Sequence, residues 1–331
     1  MAADRPLTIG MIGHGMMGVW HSENLEGLPA TPHTIVGRRE EPTRAFAQRF
    51  GYANATTDLN AMLAHPEIDA VIVASPSEAH LTHSLAAIAA EKHVLIEIPI
   101  AMDLAGSRRI AEAAAGTDKV VAVCHPWRHR PECVQLKERL DEGLERLALL
   151  EGRFLIHRLE NVGATGYRRS WTDNILWHHA CHLVDLACWL MGPELEITGW
   201  LGPIDPRTGT AMTTQLTLAR PDGASAQILL SYYSHLKHNE ATVTTDRESY
   251  RIDIPEARLT TKAGSTDIEP EQTVCRHALE DFVSACRTGR RPRVTPSDVL
   301  PAMAALQTIQ NGWDARFGAQ SLPGRALGQL G

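Results

Sequence analysis

The feature that most constrains this chain is a glycine-rich turn near its start. Leu7–Ile12 is a short apolar run, and Gly13-His14-Gly15-Met16-Met17-Gly18 follows it directly and leads into a helical pattern. Gly-x-Gly-x-x-Gly between a strand and a helix has a physical logic. The first glycine permits the tight turn, the second lets the backbone approach a pyrophosphate, and the third allows the helix to pack closely on the strand. Backbone N–H groups at the helix start then bind the anion. All six residues are therefore candidate contacts for a dinucleotide.

The next hundred residues repeat the strand–helix rhythm. Strands are expected at Thr34–Val36, Asp69–Ala74, Val94–Ile96 and Val120–Val123, with helices over 79–91 and 103–115 between them. Another helix is bracketed by Pro42 near its start and Gly51 just past its end. Such alternation implies a doubly wound parallel sheet, here a Rossmann domain over residues 1–124. After His125 the pattern changes. A helix over 131–142 precedes strand-like stretches at 148–157, 195–201, 213–219, 226–233, 241–245, 249–254 and 257–261. Pro221-Asp222-Gly223 reads as a hairpin turn between two of them. Successive strands imply an open, mostly antiparallel sheet in an α+β domain over 125–331, closed by helices at 276–287 and 298–317. That second domain is expected to bind substrate and to mediate oligomerisation.

Composition narrows the function classes. A chain of 331 residues suffices for two domains. A net charge of −7 gives no basic footprint for nucleic acid. The six cysteines form no Cys-x-x-Cys pair, which points to reduced thiols and a cytoplasmic protein. No apolar run is long enough to span a bilayer, and no signal peptide is expected.

About twenty residues past the glycine turn, an NAD enzyme places Asp or Glu against the ribose 2′-hydroxyl. This chain has Gly37-Arg38-Arg39 there. Arginine pairs with a 2′-phosphate, so NADP is expected, with NAD used more weakly. Ser75-Pro76 and Glu97-Ile98-Pro99 end two further strands at the edge that faces the cofactor, and all but Pro99 are counted as cofactor contacts.

The other concentration of chemistry is at 169–192. His178, His179, His182 and Asp185 should share one helix, flanked by Trp171 and Trp177 and backed by Leu183, Leu186, Ala187 and Leu190. His178 and His182 are four apart and should lie on one face. Histidine is the side chain best suited to moving a proton near neutral pH. The same spacing occurs in zinc proteases, but His179 stands where their catalytic Glu belongs, and no metal is expected.

These landmarks resemble the glucose–fructose oxidoreductase/inositol dehydrogenase (Gfo/Idh/MocA) family over nearly the whole chain. The family pattern Glu-Lys-Pro carries an acid–base lysine near the reacting carbon, and this chain has Ile98 in that place. The family helix reads Asp-x-x-x-His-x-x-Asp, whereas here it is His178-x-x-x-His182-x-x-Asp185. Glu97-Ile98-Pro99, Arg169 to Asp173, Leu176 to His182, Gly202-Pro203-Ile204 and Ala211-Met212 resemble one branch of the family. That branch uses NADP to oxidise the cyclic hemiacetal of a dicarboxylate to a lactone. His125, Arg128, Arg158 and Asn161 also match positions of the branch.

The resemblance implies a small anionic carboxylate substrate. Arg128, Arg158 and Arg169 can fork carboxylates, with His125, Asn161, Trp171 and His179 lining the same site. His182 is the expected base and His178 its companion, while Asp185 orients His182 or serves packing. A sugar or polyol substrate is the alternative within the family. A homodimer or homotetramer through the open sheet is expected, with neither nucleic acid nor membrane as partner.

Overall fold

The computed structural model of the chain describes residues 5–162, 168–169, 171 and 173–318. Two compact units emerge. Among the described residues, the first comprises 5–125, 162 and 272–298, and the second 126–161, those of 168–271, and 299–318.

The first unit opens with β1 (Leu7–Ile12), α1 (Met16–Asn24), β2 (Ala30–Val36), α2 (Glu40–Phe50), β3 (Asn54–Thr56) and α3 (Leu59–Leu63). It continues through β4 (Ala70–Val73), α4 (His80–Ala89), β5 (His93–Ile96), α5 (Leu104–Ala115) and β6 (Val121–Val123). The six strands form one parallel sheet in the order β3-β2-β1-β4-β5-β6. Strand order reverses between β1 and β4, and ligands of such sheets bind at the carboxyl ends beside that reversal. The central strands are apolar on both faces because helices cover both. Ala70–Val73 is wholly buried, as is Val94–Ile96.

The second unit contains a 3₁₀ turn (Pro126–His129), α6 (Pro131–Asp141) and β7 (Leu147–His157), then the short β8 (Asn161–Val162) and β9 (Arg168–Arg169). A π-helical turn (Leu176–Ala180) runs into α7 (Cys181–Met191). Then come β10 (Glu196–Leu201), β11 (Ile204–Asp205), β12 (Thr210–Ala211), β13 (Thr213–Ala219), β14 (Ser225–Ser231), β15 (Tyr233–Thr245), β16 (Ser249–Asp253), β17 (Arg258–Thr261) and β18 (Gly264–Asp267). Eight of these make a mostly antiparallel sheet in the order β10-β13-β14-β7-β15-β16-β17-β18, with one parallel pair, β14 and β7. On β13 and β14 buried residues alternate with solvent-facing ones, the pattern of a sheet covered on one face. Two more helices follow, α8 (Glu271–Thr288) and α9 (Leu300–Phe317). Helices α7 and α9 pack on the sheet from one side.

Two sequence expectations change here. The stretch read as one strand over 226–233 breaks at Tyr232, and β15 then runs for 13 residues from Tyr233. The polar run Ser234-His235 and Lys237-His238-Asn239 hid its strand character, because period-two apolar alternation is absent there. The helix assigned to the second domain at 276–287 belongs to the first unit. Ala278, Leu279, Phe282, Val283 and Cys286 of α8 join Ile9, Met11, Ile35 and Ile72 in one core. A sheet with helices on both faces needs that cover, and the chain returns late to supply it. Among the described residues no helix is long and apolar enough to cross a membrane.

Candidate active site

The glycine turn is built as its sequence requires. Gly13 has φ +102°, and a Cβ there would lie 2.3 Å from the Ala74 carbonyl oxygen. A Cβ on Gly18 would lie 2.5 Å from the Gly13 carbonyl oxygen, so α1 and β1 approach as only glycine allows. A Cβ on Gly15 would meet nothing within 4 Å, which leaves open space over the turn. Helix α1 begins at Met16, and no side chain caps it. Its first N–H groups are thus available to an anion in that space. A dinucleotide pyrophosphate fits this cradle.

At the end of β2, Gly37 is enclosed by Thr43 and His14. A Cβ at Gly37 would come within 2.2 Å of Thr43 Oγ1 and 2.5 Å of the His14 ring. Burial holds the His14 imidazole below its ordinary pKa, and the charges of Arg39 and Arg38 push the same way. Both arginines are exposed. Glu40, which follows them in the sequence, pairs with Arg44 one helical turn on.

The two proline turns are tied together by α4. His80 places Nδ1 2.7 Å from the Pro99 carbonyl oxygen and Nε2 2.7 Å from the Ser75 carbonyl oxygen. His83 Nδ1 lies 2.9 Å from the Ser75 hydroxyl, and burial pushes this imidazole down to about 4, helped by the charge of His80. The sequence reading missed both histidines, although their spacing directly after Ser75-Pro76 was the available signal. Glu97, expected at the cofactor, is buried. Its Oε1 lies 2.6 Å from His21 Nε2, and its Oε2 accepts from the Ile98 N–H at 3.3 Å. Burial raises this carboxyl, yet the hydrogen bond and charge of His21 outweigh it, with help from Cys124 and His80, and hold it below its usual range. Glu97 therefore braces the turn that carries Ile98. His125, just past β6, is buried.

In the second unit the π-helical turn organises the histidines. Asn174 accepts from the N–H groups of Leu176 and Trp177 at 3.0 and 3.2 Å and donates to Gln310 Oε1 at 3.0 Å. Trp177 Nε1 donates to the same Gln310 oxygen at 3.0 Å. The single regular helix expected to carry the three histidines is instead a π-helical turn over Leu176–Ala180 that runs into α7 at Cys181. His178 instead sits between two charged partners. Its Nδ1 is 2.8 Å from Asp173 Oδ2 and its Nε2 is 3.0 Å from Arg158 Nη1. A carboxylate accepts from Nδ1–H, which leaves the Nε2 lone pair to accept from the guanidinium.

Arg158 is oriented on several sides. Its Nη2 donates to Asn161 Oδ1 at 2.9 Å. Its guanidinium carbon lies 5.2 Å from the centroid of the Trp171 ring and 5.8 Å from that of Tyr232. His179 stacks on Phe154 at 4.1 Å and meets the Tyr232 hydroxyl through Nδ1. Burial drives the His179 pKa well down, aided by His178, Arg158 and His182, and drives the Tyr232 phenol well up. The His182 ring lies 6.4 Å from that of His179, roughly parallel to it.

Arg128, expected to fork a substrate carboxylate, is engaged elsewhere. Its Nε and Nη2 donate to Asp185 Oδ2 and Oδ1, each at 2.7 Å, and both side chains are buried. This fork locks the 3₁₀ turn to α7. Both oxygens of Asp185 accept from Arg128, a structural role in line with the packing task expected of it. The Arg169 side chain and residues 163–167, 170 and 172 lie outside the described residues.

A pyrophosphate cradle on a doubly wound sheet, with a second unit rich in histidine and arginine, defines a nicotinamide-dependent oxidoreductase. The comparisons agree. Residues 7–125 match the family model described as oxidoreductase family, NAD-binding Rossmann fold, and residues 131–243 match that of bacterial oxidoreductases, C-terminal. The chain belongs to the Gfo/Idh/MocA family and is an NAD(P)-dependent dehydrogenase. It is 28% identical over 315 residues to a 4-carboxy-2-hydroxymuconate-6-semialdehyde dehydrogenase from Sphingobium sp. SYK-6, covering 92% of this chain and 98% of that protein. It is 35% identical over 199 residues to an inositol 2-dehydrogenase from Acidothermus cellulolyticus, covering 59% of this chain and 57% of that one. In fold it is similar to levoglucosan dehydrogenase solved with NADH and levoglucosan, with a TM-score of 0.83 at 18% identity, covering 96% of this chain and 98% of that one.

Proposed function

We propose that the protein oxidises the cyclic hemiacetal of 4-carboxy-2-hydroxymuconate-6-semialdehyde, or of a closely similar dicarboxylate, to the lactone 2-pyrone-4,6-dicarboxylate, with NADP as hydride acceptor. This is a step of aromatic-ring catabolism (the protocatechuate 4,5-cleavage route). The observation that carries the reading is Arg158, held by His178 and Asn161 against Trp171 and Tyr232. A planar, pre-oriented guanidinium suits a carboxylate and offers little to a neutral sugar. His179 completes the substrate contacts in this reading, and Arg128 positions α7 through Asp185.

The bound nicotinamide supplies a hydride acceptor. The chain's own task is to remove the hydroxyl proton as hydride leaves the anomeric carbon. Ile98 has no proton to exchange, and His178 is committed to Asp173 and Arg158. His182 is therefore the proton acceptor. Arg38 and Arg39 receive the 2′-phosphate. The sheet face carrying exposed Trp200 and Leu229 suits a second copy of the chain, giving a homodimer or homotetramer. A polyol substrate is the second reading, favoured by the identity to inositol 2-dehydrogenase. The two separate in a screen of lactols, sugars and inositols with NADP and NAD, followed by absorbance of the reduced nicotinamide. Turnover of the dicarboxylate lactol with NADP supports the first reading. Turnover confined to inositol or sugars sinks it.

A further inference from the structure

We propose that His14 is a proton-coupled determinant of selectivity for the 2′-phosphate: binding of NADP, and not of NAD, draws a proton from solvent onto its imidazole. The inference rests on the NADP reading above and names a residue that reading leaves unused.

The geometry comes first. His14 lies between the first two glycines of the turn, yet its ring reaches across to the end of β2. A Cβ at Gly37 would come within 2.5 Å of His14 Cδ2 and 2.7 Å of its Nε2, so the ring occupies the place a side chain would otherwise take. The Phe46 ring of α2 lies 6.0 Å away, centroid to centroid. The end of β2 is where dinucleotide-binding sheets recognise the adenosine ribose. An imidazole seated there, next to Arg38 and Arg39, is placed for the 2′ substituent.

The charges come second. The charged groups acting on the ring are Arg38 and Arg39 of the turn before α2. Thr43 and Phe46, which α2 presents to this corner, carry no charge, and Glu40 is paired with Arg44. With burial and two guanidinium groups opposing protonation, the ring is neutral at pH 7 in the free protein. A phosphate monoester has its second pKa near about 6 and arrives at pH 7 mostly as a dianion. An opposite charge within ~4–6 Å favours the charged imidazole, opposing burial and the two guanidinium groups. The new N–H then donates to a phosphate oxygen beside the arginines, a charge-assisted bond. NAD has a hydroxyl in that position and brings no charge to drive the step.

Calorimetric titration at pH 7 in buffers of different ionisation enthalpy counts the protons directly. Wild-type protein, His14→Asn and His14→Gln are each titrated with NADP and with NAD. Wild type should take up about half a proton or more per NADP and none per NAD. Both variants should bind NADP roughly 10-fold more weakly, with no uptake, while NAD affinity changes less than about 2-fold. Retained NAD binding also reports that the variants are folded. Preference for NADP in wild type without proton uptake overturns the inference and leaves the NADP reading standing, as does uptake that persists in both variants. Equal affinity of wild type for the two cofactors overturns the NADP reading itself, and this inference with it.

Discussion

The two units are built in opposite ways. In the first, the cofactor cradle is made by leaving side chains out. Gly13, Gly15, Gly18 and Gly37 have no Cβ where one would strike backbone, ring or ligand space. In the second, space is filled with polar groups that hold one another, from Asp173 through His178 and Arg158 to Asn161. Backbone recognition tolerates few sequences and is readable in advance. Side-chain networks depend on partners far apart in the chain, and a partly satisfied network is costly in a low dielectric. The glycine cradle therefore resists variation, while the second unit is where specificity can change between relatives of one fold.

The contrast can be broken first at the proton acceptor. If His182 alone takes the substrate proton, His182→Ala lowers kcat by roughly 10²–10⁴-fold with cofactor affinity unchanged. Steady-state kinetics and cofactor titration check this, and a near-normal kcat places the base elsewhere. The Arg128–Asp185 pair should be the costliest to unfold. Both partners are buried, so Arg128→Met alone leaves an uncompensated carboxylate and destabilises by about 3–5 kcal/mol. The double change Arg128→Met with Asp185→Leu should recover much of that in denaturant unfolding. If it does not, the pair does more than offset its own burial.

His178→Ala acts through Arg158 and should raise KM about 10-fold while kcat falls less, since a positioned guanidinium loses its brace. A kcat loss as large as that of His182→Ala would exchange the two roles.

The smallest effect belongs to the first unit. His83 titrates near 6.5 when exposed and near about 4 when folded. Between those values the unfolded chain binds more protons, so stability is present above pH 6.5 and is lost as pH falls toward 4. His83→Gln should flatten that part of a Tm-against-pH curve. An unchanged slope would show that His83 is not the group responsible.

The same contrast explains what was legible in the sequence. The parallel sheet and the glycine turn followed from local patterns, because strand–helix alternation and Gly-x-Gly-x-x-Gly are short-range signals, while β3 and α3 were too short to show in the sequence. Helix α8 was assigned to the wrong unit since nothing local says which core a late amphipathic helix returns to. The clustering of His178, His179 and His182 was visible. Their partners were not, because Asp173 lies before the helix and Arg158 lies 20 positions away on another segment, and nothing local links either to His178. Arg128 looked like a ligand because a guanidinium in a sequence carries no sign that an aspartate 57 positions on will occupy it. His80 and His83 went unnoticed for the opposite reason, as ordinary helix residues, although His80 ties two distant proline turns together and His83 meets the Ser75 hydroxyl of one of them.

The proposed seating of a substrate carboxylate on Arg158 is tested most directly by one comparison of specificity constants. Wild type and Arg158→Met are assayed with the dicarboxylate lactol and with its carboxylate methyl ester, using NADP. Loss of a charge-assisted bidentate contact costs roughly 2–3 kcal/mol, so wild type should favour the free acid by about 30–150-fold in kcat/KM. The variant should lose most of that preference by turning over the acid poorly and the ester nearly as well as wild type does. Equal preference for the acid in both proteins, or no turnover of the acid by wild type, contradicts the account.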